Sequence, residues 1–448
     1  MSRLRLSAYL PRGLQNPGPR GGTGSGRKSV LCANRGAKGR GHFVKIVVVV
    51  ADSLRADVLG HTGGPCATPF LDRMAAEGTS FRTVFSAAPW TVPSMAALVT
   101  GVYPHRLGVF RWEHPILPRF PTVFSAAAQA GSRVASFVFH PRYLFSAVPE
   151  ANVMGSSQDF DAVCNFLRNT RERNLLTFVH YWGTHVPYLD RPLSVGAWGD
   201  VCSQVLAAAR RNPAVVLPKL RGLYHRAVER FSERFLPRIA DAIACHASDG
   251  FLLVVTADHG ETWGERQDRP PETVFDLHGN ALFDESLRVP LLAWGPAWLH
   301  RGCVDGLART IDLAPTLAEL LGAKDALASD ADGVSLASAL KQGTPPVSEE
   351  ALAFASDDFL STPRPAPRSP AELWTAFALR GRRWKYLWQP GGERVFDLRL
   401  DPGEDRPLQR GSGEPAQGWQ TLEHERARAF CVTEDGTDAR LRALGYID

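Results

Sequence analysis

Two aspartates, a histidine and a threonine are the residues of this chain whose types could do chemistry together. Asp52 follows the apolar run KIVVVVA, and the pair Asp258–His259 follows the apolar run FLLVVTA. Two carboxylates and an imidazole are suitable ligands for one divalent cation, and a hydroxyl could be the fourth. Thr91 lies where a turn leads into a predicted helix, a position at which helix N–H groups favour negative charge. A threonine hydroxyl bound to a metal loses its proton more readily and can act as a nucleophile.

Each of these residues also has a structural interpretation. A threonine at the start of a helix is more often a cap than a nucleophile, and an aspartate after a strand is more often a turn residue. DHG is a common loop tripeptide, and His185, in THVPY, could be a loop histidine. Spacing along the chain does not combine these residues into one site, so the interpretation depends on the elements that carry them.

Strands and helices alternate along the chain from about Phe43 onwards. Val- and Leu-rich runs predict buried strands in KIVVVVA, SRVASFVF, NLLTFVHY, FLLVVTA and RVPLLAW. Helices are predicted in TPFLDRMAAE with Thr68 as its N-cap, over about 93–100, over about 214–247 and in IDLAPTLAELLG.

This alternation predicts an α/β fold in which a central, mostly parallel sheet is sandwiched by helices. Ligands of such sheets bind beyond the carboxyl ends of the strands. Asp52, His185 and the pair Asp258–His259 all follow predicted strands, so they are expected at that edge of the sheet.

The composition and the pattern of apolar runs change after about Gly343. A Pro-rich stretch, STPRPAPRSP, is followed by three short runs typical of antiparallel strands, TAFALR, RWKYLW and RVFDLRL, and a closing helix is predicted in RLRALGYID. A chain of 448 residues is long enough for one large domain and a smaller one. The predicted organisation is a leader over 1–42, an α/β catalytic domain over 43–343, and a small C-terminal sheet subdomain with a terminal helix over 344–448.

The leader carries most of the positive charge. Residues 1–42 contain seven Arg, two Lys and no acidic residue, and they are rich in Gly and Pro, so they are predicted to be disordered. The remaining chain has a net charge of −4 and no recognisable nucleic-acid module, and no nucleic-acid partner is expected. GGTGSGRKS is not a phosphate-binding loop, because Arg27 separates Gly26 from Lys28.

The composition also bears on location. No apolar run is long enough to span a membrane, and the leader lacks the apolar core of a secretory signal. The seven cysteines are scattered without a CxxC pair, which is typical of a reducing compartment. A cytoplasmic protein is therefore predicted, and the sequence leaves its oligomeric state open.

Several ordered motifs together resemble the sulfatase family, within the alkaline-phosphatase superfamily. VVVVADSLRADVLG is similar to the family's first metal-ligand strand, and VVTADHGETWGER to its second metal-ligand segment. The stretch from TPFLDRMAAEG through APWTVPSMAALVTG to YPHRLGV resembles the nucleophile region. HGNALFDESLRVPLL, RTIDLAPTLAELLG and RGRRWKYLW match later segments, and the resemblance covers about 43–448, most weakly from Ser194 to Ala247.

The resemblance implies an alkaline-phosphatase-like catalytic domain with one divalent metal ion. By this likeness Asp52, Asp258 and His259 are metal ligands, and Thr91 is both nucleophile and fourth ligand. The oxygen-rich set suits Ca²⁺, Mg²⁺ or Mn²⁺, with Zn²⁺ as an alternative.

The resemblance also implies roles for more distant residues. His185 and His278 fall where the family contacts the ester oxygens and the leaving group. With Asp190, they could instead hold a second metal, and sequence spacing leaves that question open. Lys385 is a weaker candidate, because a basic residue of this subdomain only orders the structure in many relatives.

Three departures from the family pattern bear on the mechanism. Many sulfatases oxidise a Cys or Ser, followed by x-Pro-x-Arg, to formylglycine, whereas this chain has Thr91 and Met95. The β-carbon of threonine carries a methyl group, so no formylglycine is expected. The adjacent Asp-Asp of many sulfatases is Asp52–Ser53 here, and His278 stands about where many have Lys.

These departures favour phosphate esters modestly over sulfate esters. A phosphothreonine can be hydrolysed by an activated water, whereas a sulfothreonine lacks the elimination route of an aldehyde hydrate. The expected activity is hydrolysis of a sulfate ester or of a phosphate mono- or diester, with transfer as an alternative, on a small-molecule, glycan or lipid ester. The other class of function is a catalytically inactive protein of the same fold that binds an anionic ligand.

Variable segments are expected to form the walls of the substrate pocket. Residues 106–120 and 194–219 are the candidates. Four tryptophans could line such a cleft, although core packing is the commoner role for this residue: Trp112, Trp182, Trp198 and Trp263.

Overall fold

The computed structural model describes most of the chain between Lys45 and Val432. The described residues are 45–112, 114–140, 142–189, 192–245, 250–265, 277–279, 282–356, 374–389 and 392–432. The leader expected over 1–42, the helix expected in RLRALGYID and the candidate ligand Asp190 lie outside the described residues. The three-part division of the chain stays a prediction.

Apolar runs form the strands of two sheets. The larger sheet contains β1 (Lys45–Ala51), β2 (Thr79–Phe85), β3 (Arg133–Val138), β4 (Val153–Gly155), β5 (Leu175–Tyr181), β6 (Phe251–Ala257), β7 (Leu291–Trp294) and β8 (Gly302–Arg309). The smaller sheet contains β9 (Glu350–Ser356), β10 (Trp374–Gly381), β11 (Trp384–Gln389) and β12 (Gly392–Asp397).

The larger sheet is mostly parallel. Its strand order is β4-β3-β5-β1-β6-β7-β2-β8, and only β7 runs antiparallel to its neighbours β6 and β2. The Val-rich strand β1 is buried along its whole length, which requires layers on both faces of the sheet. The predicted α/β fold is confirmed.

Helices connect the strands and cover the sheet. They are α1 (Pro69–Glu77), α2 (Thr91–Thr100), α3 (Pro104–Leu107), α4 (Val123–Gln129), α5 (Phe160–Asn169), α6 (Val195–Arg211), α7 (Pro213–Arg230), α8 (Leu236–Ala244), α9 (Asp284–Leu287), α10 (Leu313–Leu320), α11 (Ala337–Gln342) and α12 (Ala416–Val432).

The helical region over about 214–247 differs from the prediction. It consists of two helices, α7 and α8, joined by a π-helical turn over Phe231–Phe235. The helix that precedes it, α6, was not predicted, because Gly196 and Gly199 weaken the helical pattern of its first turns.

Thr68 occupies the N-cap position of α1, as expected, but its side chain does not cap the helix. The Thr68 hydroxyl makes no capping hydrogen bond to the helix. It donates instead to Asp72 Oδ1 at 2.8 Å and accepts from the Gly60 backbone N–H at 2.8 Å. Thr68 therefore ties a preceding loop to the helix surface, because its side chain finds a carboxylate partner one turn along.

The smaller sheet is antiparallel, as predicted, and packs against the segment that leads into α2. Its strand β9 was not predicted, because the Ala-rich EALAFAS has low β-propensity. Phe354 and Phe377 belong to one apolar cluster with Tyr103. The Phe354 backbone N–H also donates to the Ala87 carbonyl at 3.0 Å, four residues before Thr91.

A buried ion network joins the smaller sheet to α9. The Lys385 ammonium, fully buried on β11, lies 3.0 Å from Asp284 Oδ1 and also contacts the Glu404 carboxylate. The Arg380 guanidinium lies 3.1 Å from Asp284 Oδ2. These contacts give Lys385 a role in packing the two sheets together.

None of the helices in the described residues is long and apolar enough to cross a lipid bilayer. Five cysteines are free thiols: Cys66, Cys164, Cys202, Cys245 and Cys303. The cytoplasmic location stays a prediction.

We expect Lys385→Ala to lower the free energy of unfolding by about 3 kcal/mol, because it leaves the buried Glu404 carboxylate without its cation and Asp284 with Arg380 alone. Denaturant unfolding measures this change. Lys341→Ala, at an exposed lysine of α11, is the matched control and should shift stability by less than about 0.5 kcal/mol. Equal stability of the two variants would contradict the network's role.

Candidate active site

The carboxyl ends of β1 and β6 bring two aspartates together. The two strands pair in parallel with Ala51 opposite Ala257, so the residues that follow them, Asp52 and Asp258, leave the sheet side by side. The Ser53 backbone N–H donates to Asp258 Oδ1 at 3.1 Å, which links the two loops directly. Both carboxylates are completely buried.

Thr91 points into this acidic region. It is the first residue of α2, with Trp90 at the N-cap position. Its Oγ1 lies 3.3 Å from Asp52 Oδ2 and 3.3 Å from His259 Nε2. The hydroxyl thus contacts the two side chains and does not cap the helix, and the helix N-terminus adds a positive dipole beside it.

The Asp–His cluster, consisting of Asp52, Asp258 and His259, has the composition of a cation site. One ligand atom from each residue lies within 4.8 Å of the others. His259 Nδ1–H donates to the Gly260 carbonyl at 2.7 Å, which leaves Nε2 facing the two carboxylates.

One buried oxygen of this cluster, Asp258 Oδ2, has the imidazole nitrogens of His180 and His259 near it, each at 3.5 Å. Asp258 Oδ1 accepts from the backbone N–H groups of Ser53 and His259, but Oδ2 has no hydrogen-bond partner among the described residues. Buried carboxylate oxygens are normally satisfied, so this one fits a bound cation. Carboxylates, an imidazole and a hydroxyl are a donor set that Ca²⁺, Mg²⁺ or Mn²⁺ accepts.

His180 is a site residue that the sequence analysis missed. Its Nε2 lies 3.3 Å from Asp52 Oδ2 and 3.5 Å from Asp258 Oδ2, and its side chain is completely buried. Burial lowers its pKa, but the two carboxylates outweigh burial and raise the pKa to about 9. An imidazolium here offsets part of the negative charge of the aspartates.

The charges of the histidines act on Asp52 in return. Burial alone would raise the pKa of this carboxyl, but His185, His180 and His259 lower it well below its usual range. Asp52 is therefore a carboxylate at neutral pH, which is the form that binds a cation or accepts a proton.

His185 and His278 lie beside the Asp–His cluster. Their ring centroids are 5.1 Å apart, and the ring of His278 is 4.7 Å from that of His259. His185 Nδ1–H donates to the Val186 carbonyl, and burial lowers the pKa of this imidazole. With Asp190 outside the described residues, the second-metal set stays a prediction.

Glu261 is the second residue that the sequence analysis missed. It lies two residues after His259 and is completely buried, which raises its pKa to about 7. His278 Nδ1 lies 2.9 Å from Glu261 Oε1, and the Tyr188 hydroxyl donates to Oε2 at 2.8 Å. Glu261 thereby fixes the orientation of the His278 ring and turns its Nε2 away from the carboxylate.

A cleft opens beside the two histidines. Its lining residues are Trp112, His185, Val186, Trp198, Cys202, Leu206, Leu277 and His278. We call it the aromatic cleft. Both segments proposed as pocket walls, 106–120 and 194–219, contribute to it.

The other two tryptophans do not line the cleft. Trp182 is buried and stacks on His185, with ring centroids 4.5 Å apart and planes at 13°. Trp263 packs against Tyr224 and the Arg55 guanidinium. Trp182 therefore packs against the ring of His185, and Trp263 belongs to the core.

Comparison with known proteins gives one family for most of the chain. A family model described as Sulfatase matches residues 45–323. The chain is 22% identical over 436 residues to Arylsulfatase K of Canis lupus familiaris, covering 80% of this chain and 78% of that protein. It is 22% identical over 459 residues to the Delta 4,5-hexuronate-2-O-sulfatase of Bacteroides thetaiotaomicron, covering 88% and 90%.

The fold is also that of a solved phosphonate monoester hydrolase. The structure from Agrobacterium radiobacter superposes with a TM-score of 0.64 at 19% sequence identity, covering 86% of this chain and 95% of that one. At this identity the likeness shows the shared fold.

We expect Mg²⁺, Ca²⁺ or Mn²⁺ to raise the Tm of the chelator-treated protein. A cation present at about 100 times its Kd adds about 2.7 kcal/mol to the free energy of unfolding. Asp258→Asn should abolish the shift, because the amide removes one charge and the unpaired oxygen. Asp305→Asn, at an exposed aspartate of β8, is the control that should keep it. Absence of a shift with every ion in the unsubstituted protein would contradict a metal site.

Proposed function

The chain belongs to the sulfatase family, and on this premise we propose that it is a metal-dependent hydrolase with Thr91 as its nucleophile. Its substrates are phosphate mono- or diesters in preference to sulfate esters. The observation that carries the proposal is the position of Thr91 Oγ1, 3.3 Å from both the Asp52 carboxylate and the His259 imidazole.

The Asp–His cluster and Thr91 would together hold one divalent cation. When bound, the cation supplies positive charge that lowers the pKa of the threonine hydroxyl and stabilises the charge on the ester oxygens. Asp52 Oδ2 lies close enough to Thr91 Oγ1 to accept its proton. The α2 N-terminus favours the negative charge that develops during attack.

The reaction proceeds in two displacements. Thr91 Oγ1 forms a bond to phosphorus while the bond to the alcohol oxygen breaks, and the leaving oxygen takes a proton from a neighbouring imidazole. Water then attacks the phosphorus of the threonyl ester, which returns Thr91 as an alcohol and releases phosphate, or a phosphate monoester when the substrate is a diester.

The side chain of Thr91 favours phosphorus over sulfur in the second step. Its β-carbon bears a methyl group, so oxidation to formylglycine and release of the group by elimination are both closed. Met95, where many sulfatases have Arg, is buried in the apolar core. The covalent ester therefore has to be broken by water, a reaction that a phosphothreonine undergoes more readily than a sulfothreonine.

His278 is the better oriented donor for the leaving group. Glu261 accepts a hydrogen bond from its Nδ1–H and stabilises a positive charge on the ring. His185 has only a backbone carbonyl as the partner of its Nδ1–H. We assign His278 as general acid and His185 as a contact to the ester oxygens.

We expect Thr91→Ala to reduce kcat/KM by at least about 10³-fold on 4-nitrophenyl phosphate and bis-4-nitrophenyl phosphate, because no nucleophile remains. Thr91→Ser keeps the hydroxyl and should retain part of the activity. Thr100→Ala, at the other end of α2, is the control that should stay active. Unchanged turnover in Thr91→Ala would remove Thr91 from the mechanism, and faster cleavage of 4-nitrophenyl sulfate would reverse the substrate preference.

We expect the loss of kcat in His278→Ala to depend on the leaving group. An alkyl phosphate needs a proton on its leaving oxygen, whereas 4-nitrophenolate leaves without one, so kcat should fall much further for the alkyl ester. Steady-state kinetics on the two substrates gives the comparison. The exposed His61→Ala is the control. An equal loss on both substrates would assign His278 to another role.

A further inference from the structure

The aromatic cleft is continuous with the proposed chemistry, and its described lining beyond the two histidines is apolar. His185 and His278 form its inner end, and Trp112, Trp198, Leu206 and Leu277 extend it outwards. Among the described residues that line it, none is Lys, Arg, Asp or Glu. The part of a substrate that lies beyond the ester oxygens therefore meets an apolar surface.

The indole of Trp198 is held in a fixed position. Its N–H donates to the Val186 carbonyl at 3.0 Å, and its ring centroid lies 5.1 Å from that of His185 and 5.2 Å from that of Trp182. The side chain remains partly exposed on α6. An indole with a satisfied N–H and an accessible surface is a preformed stacking platform.

The opposite wall begins next to the nucleophile. Trp90, which directly precedes Thr91, has its ring centroid 5.3 Å from that of Trp112. Trp112 in turn stacks on His140 at 5.0 Å with planes at 28°. A chain of aromatic rings thus leads from the reacting centre to the cleft.

We propose that the aromatic cleft binds the alcohol part of the ester and selects an uncharged alcohol that carries a flat apolar ring. The inference rests on the proposed function and adds the substrate class. An anionic alcohol is disfavoured, because a carboxylate buried against indole and leucine loses its water without gaining a partner.

The proposal separates this chain from a relative with a charged substrate. The Bacteroides enzyme is named for a hexuronate, a sugar with a carboxylate. A site for such a sugar needs a cationic or hydrogen-bonding partner for that group. The described lining of the aromatic cleft offers two imidazoles at its inner end and apolar side chains elsewhere.

The test compares phosphate esters of different alcohols, and each ester is measured in the unsubstituted protein and in the variant, so that its own leaving-group reactivity cancels in the ratio. The first pair of substrates, the aryl arm, compares 2-naphthyl phosphate with methyl phosphate. The second pair, the sugar arm, compares glucose 1-phosphate with glucuronic acid 1-phosphate. We expect Trp198→Ala to lower kcat/KM about 10-fold or more for 2-naphthyl phosphate and less than about 2-fold for methyl phosphate. The sugar arm should favour glucose 1-phosphate over the uronate.

A charge placed in the cleft should reverse part of this selectivity. Leu206→Lys should lower kcat/KM for 2-naphthyl phosphate. It should also bring the kcat/KM values for glucose 1-phosphate and glucuronic acid 1-phosphate closer together, because the ammonium can pair with the carboxylate. Gln204→Lys adds the same charge at an exposed position of the same helix and should change neither ratio. Equal effects of both lysines on every substrate would overturn the proposal, as would a preference of the unsubstituted protein for the uronate.

Binding of 2-naphthol, followed by quenching of tryptophan fluorescence, tests the cleft without turnover. We expect saturable binding that Trp198→Ala and Leu206→Lys weaken about 10-fold or more and Gln204→Lys leaves unchanged. Binding without cleavage of any ester would refute the proposed hydrolase and retain the ring-binding cleft. Cleavage of the esters with no 2-naphthol binding would refute the cleft proposal and retain the hydrolase.

Discussion

Two carboxylates buried side by side are the constraint on which this structure depends. Asp52 and Asp258 are completely buried and repel each other, so the protein must place positive charge between or beside them. The structure does this with the His180 imidazole, whose Nε2 lies 3.3 Å from Asp52 Oδ2 and 3.5 Å from Asp258 Oδ2. This electrostatic arrangement depends on the register of the larger sheet, on the polar residues that follow its strands and on the orientation of α2.

The sequence predicts the fold from its apolar runs, and it predicts most of the site from the polar residues that directly follow those runs. Asp52 and the pair Asp258–His259 stand directly after apolar runs, so their position on one sheet edge follows from parallel pairing. His180 was missed because it lies one residue inside β5, opposite Val50, where periodicity assigns a residue to the core. Only the strand register shows that its ring reaches the aspartates.

Other features required the tertiary structure. Glu261 reads as one more polar residue of a loop, and its role depends on a contact with His278, 17 residues away. The helix α6 carries two glycines near its start and is stabilised by packing, which propensity does not register. The Ala-rich β9 likewise has low β-propensity and is stabilised by its pairing with β10.

The hydrogen bond from Phe354 to the Ala87 carbonyl has a consequence for the order of events during biosynthesis. The loop before Thr91 leaves the ribosome long before the segment that supports it from the smaller sheet. A nascent chain can therefore assemble its larger sheet while the entry to α2 still lacks its backbone donor. Alignment of the threonine is completed only late in translation, when the strand that carries Phe354 has emerged and docked.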